Sequence, residues 1–317
     1  MTTTPTHIPV LLDECVEILA PALSHDGAVY VDGTLGLGGH TEAFLERFPK
    51  ITAVGIDRDT SALALAGARL ARFDGRFHGV HTTYDQIPAA LEELEIEAAD
   101  GILLDLGVSS MQLDEAERGF AYAQDAPLDM RMNQTTGITA AEILQTYTES
   151  ELIRIFREYG EEKLAPRYAR AIVAERAQNP IERSGHLVTV LNDATPYALR
   201  NAGHPAKRVF QALRIEVNAE LTILRSAIAR ALDSLTAGGR LAVLSYHSLE
   251  DRIVKTEFAA RTSSRAPVGL PVEPADMKAS YRLLFNGART ANAAEISRNS
   301  RAASVKFRAI ERLEVAR

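Results

Sequence analysis

Short apolar segments alternate with helical patterns over the first 106 residues of the chain. Runs rich in β-branched and other apolar residues predict strands at 28–32, 51–57, 77–83 and 100–107. Between these runs, apolar residues recur at helical spacing in the segments 40–48, 60–73 and 86–94. Single helices between consecutive strands predict right-handed crossovers, and therefore an α/β fold with a parallel sheet covered on both faces.

The strand pattern stops at residue 110 and returns only after residue 204. The intervening helical patterns cover 139–147, 149–178 and 186–199, with breaks at Gly137, Asn179-Pro180 and Pro196. The alternation then resumes with a helix over 205–235, a strand over 240–246, a helix over 249–261 and a last strand over 303–312. This order predicts one discontinuous sheet domain, residues 1–110 and 205–317, with a helical domain inserted at 111–204.

Size and composition narrow the class of protein. The chain has 317 residues, 46% of them hydrophobic, which is enough for a sizeable core. The single cysteine, Cys15, has no internal partner for a disulfide. The first residues lack the basic and apolar regions of a signal peptide, and no apolar run approaches the ~18 residues of a membrane span. We therefore expect a protein of the reducing cytoplasm that does not enter a membrane.

Charge is distributed unevenly along the chain. The net charge of −7 hides 15 Lys and Arg against 31 Asp and Glu in residues 1–195, and 20 against 11 in residues 196–317. A basic C-terminal third beside an acidic remainder is typical of one surface that faces a polyanion. The alternative is charge scattered over a solvated surface.

A glycine-rich loop follows the first predicted strand. Residues 31–41 read VDGTLGLGGHT, at the carboxyl end of a strand, where open α/β sheets bind ligands. The dinucleotide pattern G-x-G-x-x-G fits poorly, because Thr41 occupies the third glycine position. The pattern D-x-T-x-G-x-G instead resembles the first motif of S-adenosylmethionine-dependent methyltransferases, with Thr34 at the first glycine position. A purely structural turn is the alternative.

Three further residues follow neighbouring strands at the same edge. Asp57 ends the second predicted strand at the spacing expected of an acid that binds ribose hydroxyls. Its alternative role is to cap the helix that follows, and Asp59 is a second candidate for that cap. Asp105 ends the fourth strand, where a carboxylate needs a partner. Tyr84 follows the third strand, either beside an adenine ring or packed as a half-buried side chain.

Seven stretches together resemble one protein family, the bacterial cytosine-N4 methyltransferases of small-subunit ribosomal RNA. They are HIPVLLDE (7–14), VDGTLGLGGHT (31–41), GIDRD (55–59), DLGVSSMQLDEAERGFAY (105–122), PLDMRM (127–132), QALRIEVNAEL (211–221) and LSYHSLEDRIVK (244–255). The resemblance extends to the C-terminal RAASVKFRAIER (301–312), and these long motifs are specific. Tyr84 departs from the family, which often has phenylalanine there.

This resemblance implies a Rossmann-like class I methyltransferase sheet with an inserted all-helical domain for substrate recognition. It implies S-adenosylmethionine as cofactor and, as substrate, the exocyclic N4 amine of a cytidine in the decoding region of 16S ribosomal RNA. The residues that match the family's cofactor contacts are Gly38, Gly39, His40, Asp57, Tyr84, Asp105 and Gln112. No metal ligands are predicted. Whether naked RNA or the assembled small subunit is the substrate, and whether the protein is a homodimer, stays open.

The chemistry requires an acceptor for the proton of a weakly nucleophilic amine. Candidates after the fourth strand are Asp105, Ser109, Ser110 and carbonyl groups near Gly107, with Asp105 as the catalytic candidate. His247 is a further base or RNA contact, or else a structural histidine. Candidates for base stacking, each with a core position as its alternative, are Phe120, Tyr122 and Tyr246. Candidates for phosphate contacts are Arg200, Lys207, Arg208, Arg252, Lys255, Arg261, Arg298 and Arg301.

Two other functions compete with RNA methylation. A nucleotide-dependent dehydrogenase would use the same edge of the sheet, although the missing third glycine disfavours it. A non-catalytic ribosome-assembly factor would keep the pocket without the reaction. Binding of S-adenosylmethionine rather than NAD(P), and transfer of a methyl group, separate these alternatives.

Overall fold

The computed structural model describes residues 9–73, 75–199, 204–264, 266–267, 274 and 277–314. The chain divides into two compact units. The first consists of Met1–Gly107 and Leu221–Arg317 and is called the sheet unit here. The second, Val108–Glu220, is called the helical unit.

A seven-stranded sheet forms the centre of the sheet unit. Its strands are β1 (Val29–Asp32), β2 (Thr52–Asp57), β3 (Phe77–His81), β4 (Ala99–Asp105), β5 (Leu235–Ser245), β6 (Tyr281–Leu283) and β7 (Lys306–Arg312). The strand order is β3-β2-β1-β4-β5-β7-β6, and β7 runs antiparallel to both of its neighbours. The sheet is mixed and flanked by helices, so the predicted α/β fold class is confirmed. The order reverses between β1 and β4, which creates a crevice at their carboxyl ends.

The helices, in chain order, are α1 (Leu12–Leu19), α2 (Gly39–Arg47), α3 (Thr60–Leu70), α4 (Ile87–Glu93), α5 (Ser110–Asp114), α6 (Ala140–Thr146), α7 (Glu149–Glu158), α8 (Ala165–Arg176), α9 (Ser184–Ala194), α10 (Ala206–Asn218), α11 (Glu220–Asp233), α12 (Ser248–Thr262) and α13 (Ala293–Arg298). Helices cover both faces of the sheet. One apolar cluster joins α1, α2 and α3 to residues such as Tyr30 and Leu103. The other joins α4, α11 and α12 to residues such as Val31 and Ile102. Alternate residues of each strand therefore face opposite layers, as both-sided burial requires.

The helical unit has a core of its own. Leu152, Phe156, Tyr168, Leu187 and Phe210 are buried together in it. Helices α6 and α7 begin with capping boxes at Thr139 and Thr148, in which the threonine and a glutamate three residues later satisfy each other's backbone amides.

The structure corrects two predicted helices. The pattern over 149–178 is split into α7 and α8 near Gly160, where a Cβ atom would lie 2.6 Å from the carbonyl oxygen of Arg208. The predicted helix over 205–235 is split into α10 and α11 by Ala219, which has a left-handed φ of 50°. Sequence periodicity does not register a single left-handed residue, because the apolar spacing continues past it.

The observed boundary after the insertion also differs from the predicted one at residues 204–205. Val209, Phe210 and Leu213 of α10 are buried in the core of the helical unit, which therefore extends to Glu220. Four short elements, α1, α5, β6 and α13, were not predicted from the sequence. Among the described residues, no helix is long and apolar enough to cross a membrane.

Candidate functional site

Three aspartates end three neighbouring parallel strands. Asp32 is the last residue of β1, Asp57 of β2 and Asp105 of β4. Parallel strands end at one edge of a sheet, so these carboxyl groups lie along the crevice where the strand order reverses. This edge is called the carboxyl edge below.

The glycine-rich loop between β1 and α2 is tied to the end of β2. Gly36 and Gly38 have left-handed φ angles of 51° and 74°. The amide of Leu35 donates to the carbonyl of Ile56 at 2.9 Å. The amide of Gly36 donates to Oδ2 of Asp57 at 2.8 Å. The loop therefore bends sharply and is fixed before α2 begins.

The chain's own side chains occupy the space beside several of these glycines. A Cβ atom at Gly33 would lie 2.4 Å from Cδ2 of Leu104, and one at Gly39 would lie 2.7 Å from Cγ of Pro9. One at Gly38 would lie 3.1 Å from Cδ1 of Leu70. Close approach within the protein is thus one physical reason for glycine at these positions.

Asp57 organises two loops at once. Its Oδ2 accepts from Gly36, and its Oδ1 accepts from the amide of Asp59 at 2.8 Å. The cap of α3 is Asp59, whose Oδ1 accepts from the amide of Ser61 at 3.0 Å. Asp57 is therefore not the helix cap. Burial raises the pKa of Asp57, and the two amide donors oppose that rise.

Asp105 has one carboxylate oxygen held firmly. The hydroxyl of Tyr246 donates to Oδ1 at 2.6 Å. The backbone amide of Asp105 donates to the hydroxyl oxygen of Thr34 at 2.6 Å, which joins the end of β4 to the glycine loop. The Asp105 side chain is 23% exposed. Burial raises its pKa to about 7, while the Tyr246 hydrogen bond opposes this and Glu250 adds to it.

His40 lies on the other side of Asp105. Its Nδ1 is 3.9 Å from Oδ2 of Asp105, and its Nε2 is 3.1 Å from the carbonyl oxygen of Val10. A carbonyl only accepts, which assigns the proton to Nε2 and leaves Nδ1 as an acceptor in the neutral ring. Burial lowers the pKa of His40, in keeping with a neutral imidazole.

Asp32 accepts hydrogen bonds from the glycine-rich loop and from the first turn of α2. Its Oδ2 accepts from the hydroxyl of Thr41 at 2.8 Å, and its Oδ1 accepts from the amide of Thr34 at 3.2 Å. The residue is 1% exposed, and burial raises its pKa to about 6. The polar side chains of Thr34, Thr41 and Tyr246 were not assigned these roles from the sequence. The available signal was that Thr34 and Tyr246 lie within two residues of a strand end, whereas Thr41 lies in α2.

Tyr84 begins a short 3₁₀ turn after β3 and is half-buried. A Cβ atom at Gly33 would lie 3.2 Å from the Cβ atom of Tyr84, so this tyrosine packs beside the first residue of the glycine loop. Its position agrees with the packing alternative and brings it to the carboxyl edge.

Gln112 belongs to the helical unit, in which it is 4% exposed. Its Oε1 accepts from the amide of Ser109 at 3.0 Å, while its own amide donates to the Ser109 hydroxyl at 3.3 Å. The two residues form the capping box of α5. The Ser110 side chain lies outside the described part of the chain.

Two of the aromatic candidates, Phe120 and Tyr122, pack with the core of the helical unit. Phe120 is buried in the core of the helical unit, and the ring centroid of Tyr122 is 5.8 Å from that of Phe210. Both positions favour the core alternative. His247 precedes α12, and its Nε2 is 3.2 Å from Oε1 of Glu250.

Several residues of the basic set already have partners. Arg261 pairs with Asp233 at 2.7 Å, Arg298 pairs with Glu295 at 3.4 Å, and Arg208 donates to the carbonyl of Glu161 at 3.0 Å. Arg261 and Arg301 are half-buried, and the exposed members among the described residues are Lys207, Arg208, Arg252, Lys255 and Arg298. Arg200 lies outside the described residues.

A family model described as the MraW methylase family matches residues 4–313 of the chain. The chain is 59% identical over 306 residues to the ribosomal RNA small subunit methyltransferase H of Leifsonia xyli subsp. xyli, covering 96% of this chain and 94% of that protein. It is 58% identical over 306 residues to the protein of that name from Clavibacter sepedonicus, covering 96% of each. A solved rRNA methylase from Streptococcus thermophilus aligns over 99% of both chains, at 14% identity and a TM-score of 0.41.

Proposed function

The chain belongs to the MraW methylase family, and on that premise we propose that it transfers a methyl group to the exocyclic N4 amine of one cytidine in the decoding region of 16S ribosomal RNA. Relatives at 58–59% identity are methyltransferases of small-subunit ribosomal RNA, which supports RNA methylation over the dehydrogenase alternative. The proposed partner is that RNA within the small subunit, in the cytoplasm.

The observation that carries the proposal is the arrangement around Asp105. One of its carboxylate oxygens, Oδ1, accepts a hydrogen bond from the hydroxyl of Tyr246. The other, Oδ2, lies 3.9 Å from Nδ1 of His40, and this nitrogen is itself an acceptor. An oxygen in this position suits a donor N–H group from outside the protein. The exocyclic amine of cytosine offers such N–H groups.

The proposed cofactor is S-adenosylmethionine. When bound, it supplies an electrophilic methyl group whose departure leaves a neutral thioether. The residues proposed to hold it are Gly38, Gly39, His40, Asp57, Tyr84, Asp105 and Gln112. Asp57 fits the ribose of an adenosyl group, because each of its oxygens accepts one backbone amide and keeps a lone pair for a ribose hydroxyl. Gln112 is included on the family resemblance alone.

The proposed role of Asp105 is that of proton acceptor. The cytosine amine is a weak nucleophile, since its lone pair is delocalised into the ring. A carboxylate that accepts its N–H group increases the electron density on nitrogen and takes the proton released on methylation. A pKa of about 7 suits this role, because a general base works best near the operating pH.

The test is transfer of a labelled methyl group from S-adenosylmethionine to small subunits that lack the modification. Wild-type protein should label the RNA, and Asp105→Asn should reduce the turnover rate by about 100-fold or more, the contribution typical of a general base. Calorimetry with S-adenosylmethionine and with NAD(P) serves as the binding control. Labelling that is unchanged in Asp105→Asn would remove Asp105 from the mechanism, and no labelling by the wild type would favour the assembly-factor alternative.

A further inference from the structure

Tyr246 is hydrogen-bonded to Asp105, the proposed proton acceptor. It follows β5 directly, and β5 is the neighbour of β4, with Leu244 in register with Asp105. Its hydroxyl donates to Oδ1 of Asp105 at 2.6 Å, a short hydrogen bond of the kind that ionised acceptors form. The two residues are separated by 141 positions in the sequence.

The backbone of Tyr246 is itself fixed. Oε2 of Glu250 accepts from the amide of Tyr246 at 2.8 Å and from that of His247 at 3.2 Å. Glu250 is 2% exposed and lies in the first turn of α12. The start of this helix therefore anchors the residue whose hydroxyl meets Asp105.

The geometry leaves the two oxygens of Asp105 in different situations. Oδ1 is held by Tyr246, whereas Oδ2 faces the acceptor nitrogen of His40. Turning the carboxyl group out of its plane about the Cβ–Cγ bond would break the Tyr246 hydrogen bond. The tyrosine hydroxyl therefore fixes the plane of the carboxyl group, with one oxygen on the hydroxyl and the other toward His40.

We propose that Tyr246 is a positioning residue, whose hydroxyl orients the Asp105 carboxylate so that Oδ2 accepts from the substrate amine. This inference rests on the proposed function, since it assigns Asp105 as the acceptor. This role uses only the hydroxyl of Tyr246 and does not depend on base stacking by its ring.

The Tyr246 hydroxyl also influences the pH at which Asp105 ionises. The titratable groups that influence or face Asp105 are Cys15, Tyr30, Asp32, His40, Tyr246 and Glu250. Of these, Tyr246 lowers the pKa of Asp105, whereas burial and Glu250 raise it. Removal of the hydroxyl should therefore raise the pKa of Asp105. Since the acceptor must be ionised, the acid limb of the rate profile should move to higher pH.

The test compares Tyr246→Phe with Tyr281→Phe. Tyr281 is the matched control, because its buried hydroxyl also donates one hydrogen bond, to the carbonyl of Leu232 at 2.9 Å, but at strand β6. The first readout is the carboxyl titration of Asp105 in the cofactor-free protein, by carbon NMR of labelled aspartate, with Asp105→Asn assigning the signal. Tyr246→Phe should raise this pKa by about one unit, and Tyr281→Phe should leave it unchanged.

The second readout is the pH profile of kcat/KM for the RNA. Tyr246→Phe should lose about tenfold at pH 6 and recover to within about twofold at pH 8.5, as a shift of one pKa unit requires. Thermal unfolding of both variants checks that they are folded. If Tyr246→Phe does not fold, the hydroxyl proton of Tyr246 in the wild type carries the test: it should exchange slowly and resonate downfield, and Asp105→Asn should move it upfield.

The outcomes separate the two proposals. An Asp105 titration and a rate profile that match those of Tyr281→Phe would overturn the role of Tyr246 while leaving methyl transfer intact. A wild type that transfers no methyl group would overturn the proposed function, and the titration would still decide whether Tyr246 governs Asp105. A hydroxyl proton unaffected by Asp105→Asn would also overturn the inference.

Discussion

At the scale of single residues, the candidate site consists of carboxylates whose oxygens are already partly satisfied. Asp57 uses both oxygens to hold backbone amides of two loops, and Asp105 uses one oxygen on Tyr246. Strand-end positions predicted both acids, since carboxyl ends of parallel strands converge. The contact of Tyr246 with Asp105 was not predictable, because no local pattern pairs residues so distant in sequence.

The double role of Asp57 predicts a specific loss of cofactor affinity. Asp57→Ala removes the acceptor of Gly36 and the proposed ribose contact, so the dissociation constant for S-adenosylmethionine should rise by at least about tenfold. Asp59→Ala is the matched control. It removes the side-chain cap of α3, worth about 1 kcal/mol, but keeps the backbone amide of residue 59 that donates to Asp57. Isothermal calorimetry measures both, and equal affinities in the two variants would contradict the assignment.

The raised pKa of Asp105 predicts that this residue makes the folded protein less stable above neutral pH. Its folded pKa of about 7 lies above the ordinary value of 3.8, so the folded state binds the proton more tightly than the unfolded chain does. Stability from this group is therefore full below pH 4 and is lost as the pH rises through 7. Asp105→Asn should remove this dependence and raise the free energy of unfolding at pH 8 by on the order of 2 kcal/mol.

Urea unfolding between pH 5 and pH 8 measures the effect. A wild type and an Asp105→Asn variant whose stabilities change in parallel over that range would show that Asp105 titrates normally in the folded protein.

At the scale of elements, the loop between β1 and α2 is packed more closely than its sequence pattern indicated. Gly33, Gly38 and Gly39 approach side chains of β4, α3 and the N-terminal segment. The pattern D-x-T-x-G-x-G indicated a ligand loop, but only the structure identifies what crowds each glycine. Thr34 replaces the first glycine of that pattern and joins the loop to Asp105.

This crowding predicts opposite effects for two similar substitutions. Gly39→Ala should destabilise the protein by about 1–3 kcal/mol, because its Cβ atom would lie 2.7 Å from the ring of Pro9, which has little freedom to move. Gly67→Ala, within α3, meets nothing within 4 Å and should stabilise by about 0.5–1 kcal/mol. Thermal unfolding compares the two, and a loss of stability in both would show that the space around Gly67 is not open.

At the scale of the whole molecule, hydrophobic periodicity predicted the parallel sheet and the helical insertion, because strands and helices bury apolar residues at different spacings. It missed the end of the insertion, because the apolar residues of α10 continue those of α11 across the left-handed Ala219. Charge asymmetry indicated a polyanion-facing surface, yet Arg261 and Arg298 pair with acidic neighbours. Charge counts do not register such pairing.

The central claim is that one cytidine of 16S ribosomal RNA receives a methyl group on its N4 amine. The most direct test incubates the protein and S-adenosylmethionine with small subunits that lack the modification, digests the RNA and identifies the methylated nucleoside and its position by mass spectrometry. We predict N4-methylcytidine at a single position in the decoding region. A methyl group on another base, on another atom of cytidine or outside that region would contradict the account.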